Sequence, residues 1–208
     1  MLIDIGYDME LAFNAPNALV SLLPVYADLE HDLQAPENSK ALPVFQMQGP
    51  CDPSDNGCGY MEVPASVSAV GLANRARIGD SGRPSVVHYG ATWPTCSALH
   101  TFHAATSGCR DFATLAVISC RGIKISTRYG TAYLGDLDKP PVRYPMEFSA
   151  WFAVFLSGQW LTFDARHDTP CIGWIMMAMG RDVGAGSITM TFCPNTLTRF
   201  KVTTDEVF

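Results

Sequence analysis

The chain has 208 residues, 48% of them hydrophobic and 16% charged, enough apolar side chain for a sizeable core and too much for a disordered segment. Its formal charge of −6 comes without any block of Lys and Arg, which argues against a nucleic-acid partner or an anionic membrane surface. No apolar run reaches the roughly 18 residues of a membrane span, and seven cysteines without a CxxC pair point to reduced thiols rather than a disulfide scaffold.

The opening stretch MLIDIGYDMELAF places Asp4, Asp8 and Glu10 where a secretory leader needs a basic start and an unbroken apolar segment, so the expected location is cytoplasmic. That stretch and NALVSLLPVYADL show short alternating runs bounded by Asn, Pro and Gly, the pattern of antiparallel strands. Residues 34–60 are dense in Pro and Gly and read as loop, with ALPVFQMQ the one segment there able to form a strand. MEVPASVSAVGLANRARI resumes strand character, Pro64 favouring a sheet edge. Residues 1–90 are expected to form a β-rich region.

From residue 109 the texture changes. CRDFATLAVISCRG is apolar nearly all round, lacks Pro and ends at Gly122, a residue suited to the end of a helix, so a short buried helix is expected. IKISTRYGTAYLG alternates between two unlike faces, as a strand does, and DLDKPPVRYP is loop. EFSAWFAVFL and QWLTFDAR read as two strands joined at Ser157-Gly158 by a two-residue turn. That register sets Trp151 opposite Asp164 and Ser149 opposite Arg166, all on one face. GSITMTF reads as a further strand. The expected fold class is α+β: the N-terminal β-region, then residues 91–208 as a compact core with a helix packed on an antiparallel sheet.

The loop CDPSDNGC begins with the spacing of a calcium loop, but its twelfth position is Val63 and no helices flank it. Cys51, Cys58 and His88 make a weak zinc pattern. No metal and no organic cofactor is implied.

Cys109 is the residue that points to chemistry. The start of a helix gathers unpaired N–H groups and the positive end of the dipole, and both favour a thiolate there; Arg110 acts in the same sense. Cys120 lies on nearly the same helix face about 16 Å further along and is expected in the core.

GCRDFATLAVISCRGIKISTRYGTAYLGD followed by EFSAWFAVFLSGQWLTFDARHDTP resembles the core of the bacterial transglutaminase-like cysteine peptidase family, in the papain-like superfamily, over roughly residues 105–205. The resemblance implies a thiol nucleophile at Cys109, a base on the first hairpin strand and Asp164 orienting that base from the second. Ser149 stands where the family's histidine is usual, and a hydroxyl cannot take a proton from a thiol near neutral pH. His167, three residues past Asp164, is the best spare base if the strand ends near Ala165; His100 and His103 are others. The segment before Cys109 is short for the family, so either a trimmed core or a second subunit completing it is a further expectation.

The expected activity is thiol-dependent acyl hydrolysis or transfer on a small ester or peptide-like substrate, with Cys109, Asp164, His167 and Ser149 at the reacting centre and Trp151, Arg110 and Arg166 against the substrate. Esters are favoured, because an oxygen leaves more readily than an amine when no acid protonates it. The competing expectation is a catalytically silent relative that binds a peptide or protein partner.

Overall fold

The structure, a computed structural model, describes residues 1–44, 52–79, 98–104, 108–134, 146–165 and 174–207. Strict alternation along β1 (Leu2–Phe13) turns Ile3, Ile5, Tyr7, Met9, Leu11 and Phe13 inward. Its outward carboxylates Asp4 and Asp8 meet Arg77 and Arg199 of the neighbouring strands at 2.6 and 2.9 Å. Exposed pairs of this kind contribute at most about 1 kcal/mol each, so the buried row holds the sheet together. β1 pairs antiparallel with β5 (Ala69–Gly79) and with β11 (Asn195–Glu206), and β3 (Lys40–Leu42) completes the order β11-β1-β5-β3.

A second sheet has the order β10-β2-β4, from β10 (Thr189–Thr191), β2 (Asn17–Ser21) and β4 (Gly59–Val63). Pro64 directly follows β4, which is an edge strand, as Pro64 suggests from sequence. The loop before β4 satisfies itself: the Asp52 carboxylate accepts N–H bonds from Ser54 at 2.7 Å and Asn56 at 3.0 Å, and the Asn56 amide Nδ2 at 2.8 Å. Asn56 is fully buried and exchanges two 2.7 Å bonds with the main chain of Met179, fastening this loop to the rest of the molecule.

The expected split at residue 90 falls outside the described residues. The β-rich part, however, draws on both ends of the chain, because β10 and β11 lie within the stretch expected to belong to the core and instead bond to β2 and β1. Partner choice of this kind leaves no trace in the alternation of a single strand.

The third sheet has the order β8-β7-β6-β9, from β6 (Thr127–Leu134), β7 (Ser149–Leu156), β8 (Gln159–Phe163) and β9 (Trp174–Gly180). The expected turn is present: Ser157 and Gly158 both have positive φ, 51° and 83°, as a turn matched to strand twist requires. The ladder runs in the expected register from Leu156↔Gln159 to Phe152↔Phe163. Tyr133, Ile175 and Met177 of this sheet join the core of the first, so the apolar interior is continuous.

Helix α1 (Ala98–Ala104) precedes α2 (Cys109–Gly122), which packs on β6 and β7 through Ala113 and Val117 against Tyr129 and Ala150. The expectation of an all-round buried α2 is corrected here. Ile118 is 53% exposed and Cys120 half-buried rather than in the core, because only one side of the helix meets the sheet. The left-handed residue that ends it is Lys124 (φ 64°), not Gly122, and the Ile125 N–H closes on the Cys120 carbonyl at 2.9 Å.

Candidate active site

Gly108 enters α2 in an extended conformation (φ −85°, ψ 173°), and its carbonyl accepts the N–H groups of Asp111 and Phe112, both at 3.1 Å. Among the described residues, no side chain caps this turn. Cys109, the first helical residue, therefore keeps its main-chain N–H unspent among the described residues, beside a half-buried thiol.

The thiol opens on a cleft of about 560 Å³. Cys109 and Arg110 form one wall, Tyr129 and Thr131 the floor, and Phe148, Ser149 and Ala150 the entrance to β7. The turn after β9 and two residues of β11 close the far side. Cys109, Arg110 and Ser149, distant in sequence, thus share one concavity. Among the described residues, no imidazole lines it.

The other expected residues lie elsewhere. The ladder ends at Phe163, so the expected Trp151↔Asp164 rung does not form, and Asp164 is half-buried one residue past the strand. Trp151 is 1% exposed, with Ala132, Ala153 and Met179 around it and the Trp174 ring 4.2 Å away at 86°. It occupies the face of β7 turned away from α2, which Ala150 and Phe152 contact instead. His103 is exposed on α1. His167 and Arg166, and the side chain of His100, lie outside the described residues.

Two buried polar residues, Asp111 beside the lining residue Arg110 and Tyr129 on the lining itself, have no signature in the sequence. Asp111 is 2% exposed; Arg110 reaches its Oδ1 at 3.3 Å, and its Oδ2 has no partner among the described residues. Tyr129 is 3% exposed beneath Cys109, and burial first, then the charge of Cys109, raises its hydroxyl far above the ordinary tyrosine range. The hydroxyl therefore stays protonated at physiological pH. Thr131 beside it donates to the Gly186 carbonyl at 2.9 Å.

A family model described as the transglutaminase-like superfamily matches residues 74–165. That segment is similar to the transglutaminase-like superfamily. The transglutaminase-like match starts within β5 and ends just past Asp164, earlier at both ends than the span of the resemblance. A solved structure from Cytophaga hutchinsonii, described as a "Putative Cysteine Protease", superposes with a TM-score of 0.79 at 17% identity, covering 100% of this chain and 92% of that one. At that identity the likeness speaks to the fold. No curated protein sequence matches the chain. Among the described residues, no helix is long and apolar enough to cross a membrane.

Proposed function

We propose that the protein is a thiol-dependent acyl hydrolase or transferase with Cys109 as nucleophile. The observation that carries this reading is a helix start that presents a half-buried thiol to a cleft of about 560 Å³ within a transglutaminase-like segment. The Cys109 sulfur attacks the substrate carbonyl carbon, and the electron pair of the C=O bond moves to oxygen. We assign that oxyanion to two donors of residues that line the cleft, the N–H of Cys109 and the Tyr129 hydroxyl. The base takes the thiol proton before the attack and returns it to the leaving oxygen as collapse breaks the C–O bond, so the alcohol departs; water, deprotonated by the same base, then splits the thioester to acid and free thiol.

Ser149 sits on the cleft in the position where the resemblance expects a base, and it serves as a polar contact there. In this reading Asp164 is the orienting carboxylate and His167 the substitute base, with Arg110 and Arg166 contacting the substrate. Ester cleavage follows as the favoured activity, since an alkoxide or phenoxide leaves with less acid assistance than an amine. The test compares p-nitrophenyl esters with the matched anilides: activity on the esters that disappears in Cys109→Ala supports the proposal, and no activity on either class, or activity that survives the substitution, rejects it.

The second reading, a silent relative that binds a peptide or protein, draws its support from the lack of any imidazole on the cleft among the described residues. An iodoacetamide rate at Cys109 no higher than at other thiols favours it.

A further inference from the structure

The pairing of β1 with β11 slips by one residue: Met9 faces Phe200 and Glu10 faces Arg199, but Leu11 faces Leu197. Thr198 is the extra residue of a β-bulge. Its hydroxyl lies 2.8 Å from the Glu10 carboxylate and 3.2 Å from the Glu10 carbonyl, which holds the bulge outward. Met9 and Leu11 are on one inward face of β1, and their cross-strand partners share that face. Leu197 and Phe200 are three residues apart, and regular alternation would separate them; the bulge brings both to the side that lines the Cys109 cleft. Phe200 also packs edge-on against Phe148, another lining residue, at 5.6 Å. Ile188 and Val183 continue the apolar surface, and the charged side chains on the lining are one of each sign, Arg110 and Glu147. Leu197 is 51% exposed, so a ligand seated there removes apolar surface from water.

We infer that the cleft takes an acyl group whose part next to the reacting carbonyl is aliphatic, lodged against Leu197 and Phe200; this rests on the reading of Cys109 as nucleophile. The balanced lining charge offers no basis for binding a polyanion. An aliphatic acyl group has two sources, a straight-chain acid or a peptide residue with a branched apolar side chain, and both present the same surface.

Binding of unreactive amides, followed by the methyl NMR shifts of Ile188 and Val183, tests the inference without any chemistry at the thiol. Each buried methylene strengthens binding about fourfold. Octanamide is therefore expected to bind at least about tenfold more tightly than butyramide, allowing for a cleft open on one side, and Leu197→Ser, at a half-exposed site, is expected to bring the ratio below about threefold. A parallel gain for N-acetylleucinamide over N-acetylalaninamide assigns the pocket to a peptide acyl group, and a gain confined to octanamide assigns it to a straight chain. A ratio near one in the native protein for both pairs, or a ratio untouched by Leu197→Ser, overturns the inference. Slow alkylation of Cys109 would instead reject the nucleophile while leaving the apolar pocket measurable.

Discussion

Gly186 lies against the ring of Tyr129 so closely that a β-carbon built on it would come within 2.8 Å of Cδ1. The contact joins the turn after β9 to the cleft floor, and Thr131 reinforces it through the Gly186 carbonyl. Gly186→Ala has no room unless the turn or the ring moves. A loss of about 1–3 kcal/mol in denaturant unfolding is expected, together with a measurable change in whatever reaction Cys109 carries out. Unchanged stability would mean that the turn shifts freely.

The same turn is pinned by Asp182, whose carboxylate accepts the N–H groups of Gly184 and Ala185, both at 3.1 Å. The Ala185 bond leads the causes that hold this carboxyl below the usual aspartate range, with Arg181 helping. For a group whose folded value is depressed, the unfolded chain binds the proton more readily. The stability it contributes is thus present above the unfolded value and lost as pH falls through the folded one. Thermal melts of the wild type and Asp182→Ala are expected to differ at pH 7 and to converge below about pH 4. A difference that stays constant across that range would contradict the assignment.

Trp151 gives a test of packing against binding. It is fully enclosed, and its indole N–H has no hydrogen-bond partner among the described residues. Trp151→Ala is expected to cost about 3–5 kcal/mol through the cavity it leaves. Trp151→Phe forfeits no hydrogen bond, so a much smaller loss with KM for an ester substrate unchanged is expected. A rise in KM with stability intact would place the indole in the substrate cleft after all.

The β7–β8 hairpin depends on two left-handed residues in succession. Gly158→Ala forces a side chain into φ 83° and is expected to cost about 1 kcal/mol. Ser157→Asn suits φ 51° better and is expected to be neutral or slightly stabilising. Differential scanning calorimetry of both variants checks the pair; equal effects would mean that the turn does not set the hairpin's stability.

What the sequence made legible were the features governed by local chemistry. Alternation exposed β1 and β6, Ser157-Gly158 announced the hairpin and its register, and the apolar, proline-free run from residue 109 located the helix start at Cys109. What stayed hidden depends on contacts between distant segments. The apolar content of α2 could not reveal that a single face meets the sheet, leaving Ile118 in solvent. Nothing in NTLTRFKVTTDE told of its pairing with β1, nor of the bulge at Thr198 that turns Leu197 into the cleft. The turn set the register that leads to Asp164 and Trp151, yet the strand stops one rung short of pairing them. Tyr129 was visible only as one tyrosine in an alternating strand; its proximity to Cys109 comes from the way α2 lies across β6.

The most direct test of the central claim is the rate of iodoacetamide alkylation of each thiol in the native protein, resolved by peptide mass spectrometry at pH 7. Cys109, Cys120 and Cys193 are all half-buried free thiols, so exposure does not separate them, and a faster rate at Cys109 would reflect its place at the helix start. Cys109 modified at least about tenfold faster than the other two, with ester hydrolysis lost in step with that modification, is the expected result. Equal rates at the three sites, or hydrolysis that persists once Cys109 is fully modified, would contradict the account.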